Sequence, residues 1–450
     1  MKKFVIKLVF ALFLFILITY QFNCDYFEDT IDHALIQGEE FKIHTSSYWN
    51  LTGSPIYIDG SATGVGALNW TWAESQPWCS GNGSYINPYI IENVYIDGLN
   101  TSHCLSIINS DIYFMVKNCT FTNSGGNIPI VGYSGIYFEE VSNGVIYNTN
   151  CSNNNYQGIH MENCNNCSIL TNNVTYNEFE GIFLIDCYNN SIESNVIQQH
   201  QYIGLSLSSS NNTLIKNNTL DQNSYGIIAN GHNNTVIFNT INYIIQSGIS
   251  VSESNGTIIK DNIIYSHNYN FSGDLINRRG IMISQSHYIF VYNNLIDGFI
   301  FAIEAGGSNL LIHQNQIHTS QYGIMTWSIM HSNFTNNVIN NQAFPEFYYC
   351  YGIQLSGDFN RLNNNELQYF DVGIYLTYAN NNSISSNSIL FYDICIKIDD
   401  NTCEGNLIYD NSCQEVGALA IPGFNASIIL MGIMVWIIFK LKYRSNYKDK

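Results

Sequence analysis

Glu139 and Glu162 stand 23 residues apart, and the same interval separates Tyr137 from His160 and His160 from Phe183. If each interval is one turn of a repeat, the two carboxylates share a column one turn apart. Like charges so placed destabilise a sheet unless a proton, a cation or a base such as His160 intervenes. The pair could then hold Ca²⁺ or act as an acid/base couple. Carboxylates about 5 Å apart also suit a retaining glycosidase. The plainer alternative is that both side chains fan into water.

A second group gathers Met282, Glu304, Met325 and Trp327 with residues of two long intervening segments: Asp274, Arg278, Arg279, Glu346, Tyr348, Tyr349 and Tyr351. An indole beside tyrosines and a few polar groups is what sugar rings stack on and bond to. Glu304, Trp327, Met282, Arg278, Tyr348 and Tyr349 are therefore the carbohydrate-binding candidates. Hydrolysis there needs a second carboxylate opposite Glu304, for which Asp274 and Glu346 are available. The competing reading is that loop aromatics merely cover their own corner.

What positions both groups is a repeat. Glycine recurs at 135, 158, 181, 204, 226, 248, 280, 323, 352, 373 and 417, with Ala302 and Cys395 standing in, at intervals near 22 residues. Each mark is followed by Ile or Leu and, two residues on, by another apolar side chain, which is strand alternation. Some thirteen residues later runs an asparagine column: Asn148, Asn172, Asn195, Asn217, Asn239, Asn293, Asn315, Asn336, Asn365 and Asn387, with Asp261 once. The period is too short for two packed helices and fits two or three short strands per turn. Stacked turns lie about 4.8 Å apart, close enough for asparagines in one column to bond to each other.

The fold class is all-β: a single-stranded, right-handed parallel β-helix. The pattern resembles right-handed parallel β-helix proteins, in particular the NosD-like repeat proteins and the wider carbohydrate-binding and sugar-hydrolase β-helix group. In the enzymes of that group the substrate groove runs along the outer face of one sheet, so the resemblance directs attention to the outward positions two and four after each glycine. The NosD likeness implies a further option, copper handling, for which Met282, Met325, Met330 and His331 are the soft ligands present. They form no tight ligand motif.

The chain divides at about 1–24, 25–88, 89–417 and 418–450. Residues 1–24 join a basic start to a short apolar run and read as a signal sequence or N-terminal anchor. Segment 25–88 lacks the repeat and carries Trp49, Trp70, Trp72 and Trp78, as expected of a cap over the open end of a solenoid. Its Ile58-Asp59-Gly60 and Asn69-Trp70-Thr71-Trp72 stretches resemble the lead-in of archaeal surface β-helix proteins. Beyond Gly417, Ile421-Pro422-Gly423-Phe424, an apolar run and a basic tail read either as a membrane anchor with its tail cytoplasmic or, by resemblance, as an archaeal C-terminal sorting signal. On either reading the solenoid lies outside the cell, its partners an extracellular glycan or a surface protein. Long turns at 124–134, 267–279 and 340–351 should leave one corner and wall one face.

Between the basic termini, eight basic residues face 34 acidic ones, a net charge of about −26. Such a surface repels polyanions and excludes nucleic acid as a partner. Polyuronate lyases need Ca²⁺ ligands and a basic residue in the groove, and outward cations there reduce to Lys397 and whatever Arg278 and Arg279 reach. Carbohydrate binding, or a structural or adhesive role at the surface, is thus expected before lyase or hydrolase chemistry. Sequons at Asn50, Asn69, Asn118, Asn166, Asn217 and Asn333 agree with export. Twelve cysteines in an exported chain favour disulfides. Cys164 and Cys187, each six residues after its glycine, should stack within disulfide reach. Cys164-Asn-Asn-Cys167 has redox spacing but no thioredoxin-like context.

Overall fold

A computed structural model describes residues 48–126, 132–266, 278–318, 320–341, 349–399 and 401–416. The chain divides into Met1–Tyr48 and Trp49–Lys450, and the described strands belong to the second unit. The segments 1–24 and 418–450 lie outside the described residues. Among the described residues no helix is long and apolar enough to cross a membrane.

The alternation that follows each glycine becomes a strand. Ile136–Val141, Ile159–Glu162 and Ile182–Ile185 stack in parallel, with Ile136, Ile159 and Ile182 in one column and Phe138, Met161 and Leu184 in the next inward one. These side chains are fully buried. The same pairing continues turn after turn, so that a right-handed parallel solenoid of about 13 turns encloses one apolar core from Ile56 to Ile389. Among the described residues, twenty-nine strands join into a sheet that bends round a corner, and fifteen form the sheet that closes the coil. Glycine heads each turn because the backbones approach closely there. A Cβ on Gly158 would lie 2.5 Å from Val174 Cγ1 and 2.9 Å from the Gly181 carbonyl oxygen.

The asparagine column of the sequence proves to be two adjacent columns. Asn148, Asn217, Asp261, Asn293 and Asn336 have φ between 48° and 57° and turn the corner in the left-handed region, which Asn and Asp tolerate best. The buried ladder keeps Asn172, Asn195, Asn239, Asn315, Asn365 and Asn387 of that column, and at four turns runs one residue later, through Asn218, Asn262, Asn294 and Asn337. Asn239 shows the rung. Its main-chain N–H and its Nδ2 both donate to Asn262 Oδ1, at 2.9 and 3.0 Å, while Nδ2 also donates to the Ile215 carbonyl at 3.0 Å. Each rung thereby satisfies a corner amide that no strand partner reaches.

At the N-terminal end the solenoid starts earlier than its sequence signature. Trp49–Asn50 already pairs with Val94 and Tyr95, and Ile56–Asp59 with Leu105–Ile108, so part of the 25–88 segment belongs to the first turn. The stretch between carries the helix Trp70–Glu74, started by the Asn69 side chain accepting from the Trp72 N–H. Trp70 is buried, stacks on Tyr89 at 4.9 Å and donates through Nε1 to Ser110 Oγ at 2.9 Å.

Cys164 and Cys187 stack as expected but are free thiols. In-register parallel strands point both Cβ–Sγ bonds the same way, and each thiol donates to a carbonyl two residues back, Glu162 and Ile185, at 3.2 Å. Cys187 Sγ also accepts the Cys164 N–H at 3.3 Å, so the pair serves as ladder rungs. The disulfide of the described residues joins Cys395 to Cys413 across the last turns.

The two asparagine columns predict different losses from neighbouring substitutions. Asn218→Ala, which strands buried amides, should cost about 3 kcal/mol or more, whereas Asn217→Ala should cost only the left-handed backbone strain of about 1 kcal/mol. Urea unfolding of the two variants measures the contrast, and equal losses would contradict it.

Candidate functional site

Outward side chains of the glycine-led strands form two columns. The first reads Ser106, Tyr137, His160, Phe183, Ser206, Ile228, Ser250, Met282, Glu304, Met325, Gln354, Tyr375 and Lys397, and the second includes Glu139 directly below Glu162. Both groups singled out in the sequence therefore lie on one face, separated by bland residues.

At the first group, parallel register brings Tyr137, His160, Glu139 and Glu162 together. The Tyr137 hydroxyl donates to Glu162 Oε2 at 3.3 Å. Burial, reinforced by the charges of Glu139 and Glu162, raises the Tyr137 pKa well above the ordinary phenol value. The ring of His103 stacks on Tyr137, with centroids 4.6 Å apart, and the His160 ring meets both Tyr137 and Phe183. Burial pushes His160 down to about 4, helped by the neighbouring His103. Its Nε2 is buried without a hydrogen-bond partner among the described residues. His103, likewise held near 4 by burial, accepts the Ser134 N–H through Nδ1 at 2.9 Å. Two neutral imidazoles, a phenol and two carboxylates thus converge. Proton transfer within such a cluster needs no large motion.

A feature the sequence reading missed flanks this cluster. The residue two before each glycine is Tyr133, Tyr156, Phe179 and then Tyr202. Tyr156 and Phe179 lie 4.5 Å apart, Phe179 and Tyr202 5.0 Å, and Tyr133 meets His103 edge-on at 5.0 Å. Phe179 and Tyr202 are 36% and 51% exposed, so the row stands as an aromatic wall that His103 joins to Tyr137. The glycine period carried this signal, since it is visible at position minus two as plainly as at plus two. Behind the wall Ser134 Oγ donates to Gln157, and Gln157 Nε2 to Glu180, whose pKa is raised, chiefly by burial.

At the second group the register sets Glu304 between Met282 and Met325, and Glu304 is ion-paired with Arg279. Arg278 corrects the expectation that it serves the groove. Strand alternation turns it inward, where it is 4% exposed and donates through Nη1 to Ser266 Oγ at 3.3 Å. Trp327 packs its indole on Gly306, where any Cβ would collide with it. Phe301, Tyr322 and Tyr351 stack face to face at 5.0 and 5.2 Å. Tyr349 donates to Asp393 at 2.6 Å. Tyr348, Asp274 and Glu346, with most of the three long loops, lie outside the described residues.

Met282 and Met325 are two turns apart with Glu304 between them, and His331 stacks on Phe359. Among the described residues no three His, Cys, Asp or Glu side chains converge on a metal-sized site.

The buried imidazoles make stability depend on pH in a definite direction. His200 takes an asparagine's place as a rung: Nδ1 accepts the Asn177 N–H at 3.1 Å, so Nε2 carries the proton and donates to the Val174 carbonyl at 3.0 Å. Burial holds its pKa near 4 against an ordinary 6.5. The unfolded chain binds the extra proton between those values, so stability is whole above pH 6.5 and falls as pH drops towards 4. For His200 alone the loss is on the order of 3 kcal/mol. His200→Asn should keep the rung and flatten the fall in melting temperature between pH 7 and pH 4. An unchanged pH slope would refute this assignment.

A family model described as the right handed beta helix region matches residues 78–241 and 204–365. No curated protein matches the chain by sequence. Among solved structures, a double mutant of the periplasmic alginate epimerase AlgG is 12% identical, over 72% of this chain and 85% of that one, with a TM-score of 0.47. The A-module of the Azotobacter vinelandii mannuronan C-5 epimerase AlgE6 is 14% identical, over 72% and 83%, with a TM-score of 0.32. DFA-IIIase from Arthrobacter chlorophenolicus A6 is 11% identical, over 74% and 87%, with a TM-score of 0.35. Likenesses this distant carry no argument about activity. The family match and the turn-by-turn parallel register agree, and the chain belongs to the right handed beta helix family.

Proposed function

We propose that this is an extracellular, membrane-anchored β-helix that binds carbohydrate along the outer face of its glycine-led sheet. The glycan lies over Tyr137, His160 and Phe183, against the wall of Tyr156, Phe179 and Tyr202. The observation that carries the reading is this half-exposed aromatic row beside convergent hydrogen-bonding groups. Glu139, Glu162 and Glu180 make the face acidic, which favours a neutral glycan over a polyuronate. Glu304, Met282, Trp327 and Tyr349 extend the same face and offer a second contact point for a long chain. Export and anchoring rest on the apolar runs and basic flanks at the two termini.

A second reading, a polysaccharide-acting enzyme, is favoured by one observation. A phenol bridges towards two carboxylates one turn apart while the adjacent imidazole keeps a free ring nitrogen. Such a set can protonate a leaving oxygen and stabilise the charge left behind.

Phe179→Ala and Tyr202→Ala should each weaken retention of the full chain in gels cast with neutral polysaccharide by about tenfold, or about 1.4 kcal/mol. Unchanged mobility would contradict glycan binding at this face. Release of reducing ends by the parent chain, abolished in Glu162→Gln, would decide for the enzyme.

A further inference from the structure

The sheet on the other side of the coil carries a different chemistry. Seven cations fall within the described residues, and four of them, Lys117, Lys216, Lys260 and Arg361, lie on strands of this fifteen-stranded sheet. Three are neutralised: Lys117 by Glu92 at 2.9 Å, Lys216 by Glu193 at 3.8 Å and Lys260 by Asp261 at 3.3 Å. Arg361 has no ion pair among the described residues, although it belongs to a strongly acidic chain.

Arg361 stands at the edge of an open trough of about 350 Å³ lined by Leu311, His313, Asn333, Thr335, Arg361 and Asn363. The strand register explains its shape. Leu311, Asn333 and Arg361 form one outward column, and His313, Thr335 and Asn363 the other, with Ile312, Phe334 and Leu362 buried between them. His313 Nδ1 and Thr335 Oγ1 lie 2.7 Å apart and fix one wall. Asn363 Oδ1 is buried and has no hydrogen-bond partner among the described residues. A buried acceptor left unsatisfied costs about 1–3 kcal/mol, and a native structure tolerates such a group best where something else satisfies it.

We propose that this trough binds an acidic sugar, one residue of a uronic-acid type that presents a carboxylate to Arg361 and a hydroxyl to Asn363. Arginine supplies the forked donors that match a carboxylate. The vacant Asn363 oxygen requires a donor, which a sugar hydroxyl supplies and a bare inorganic anion such as sulfate does not. Leu311 gives the ring an apolar floor. The site is separate from the glycine-led face and does not depend on how that face functions.

Saturation-transfer NMR of the full chain, made in a host that adds no glycan at the Asn333 sequon, with glucuronate, glucose and sulfate as probes, tests the assignment. Glucuronate should bind at least tenfold more tightly than glucose or sulfate. Arg361→Gln should remove that preference, while Lys216→Gln, which loses a cation already paired with Glu193, leaves it intact. Asn363→Leu should lower glucuronate affinity without lowering the melting temperature, because it deletes an unsatisfied acceptor rather than a bond. Equal binding of glucuronate and glucose, binding of sulfate as tight as that of glucuronate, or an unaltered preference in Arg361→Gln would overturn the proposal.

Discussion

The structure depends on what happens to main-chain amides at the corners of the coil. Strand pairing satisfies the amides along each side, but a chain that turns sharply every few residues leaves donors pointing into an apolar core, where an unmet hydrogen bond is costly. A buried asparagine answers this constraint by accepting with its oxygen the N–H of the rung in the preceding turn. Its own amide nitrogen reaches a carbonyl further back, as Asn218 does to Ile192 at 2.8 Å and Asn195 to Ile169 at 2.9 Å. The ladder continues from Asn172 to Asn411 with one hydrogen-bonding arrangement at each rung. Elsewhere the same office is held by His200, by Ser210 and by the thiols of Cys164 and Cys187. This explains why chemically reactive side chains lie in the interior without any reactive role.

A ladder that forbids slippage also organises the surface. Because each turn is locked to the next in register, any outward position becomes a column, and chemistry accumulates wherever neighbouring turns place compatible residues in it. Tyr137, His160 and Phe183 make one such accumulation, and Tyr133, Tyr156, Phe179 and Tyr202 another at the adjoining corner. The charge pattern follows the same rule. Most described cations fall on strands of the fifteen-stranded sheet: Lys117, Lys216, Lys260 and Arg361.

Much of this was legible in the sequence, and the failures have physical reasons. The glycine period specified parallel stacking and placed Glu139 under Glu162, because a strand one turn long offers only one register that keeps Phe138 and Met161 inside. It did not separate the two asparagine columns, since the αL corner and the buried rung both select Asn and are adjacent in the chain, as in Asn217-Asn218 and Asn336-Asn337. Arg278 and Arg279 were likewise indistinguishable until alternation was counted back from Gly280, which turns one inward and the other onto Glu304. Spacing showed that Cys164 and Cys187 would be neighbours. It could not show that parallel Cβ–Sγ vectors leave the thiols directed at carbonyls instead of at each other.

Hydrogen–deuterium exchange of the native chain measures the corner amides directly. If the asparagine ladder carries the fold, the main-chain N–H groups of Asn195, Asn218, Asn239, Asn262 and Asn294 exchange as slowly as those of the buried strand residues Ile192, Ile215 and Val236, because they open only when turns separate. Exchange of these ladder amides on the fast timescale of exposed turn residues would show that stacking survives without them and would contradict the central claim.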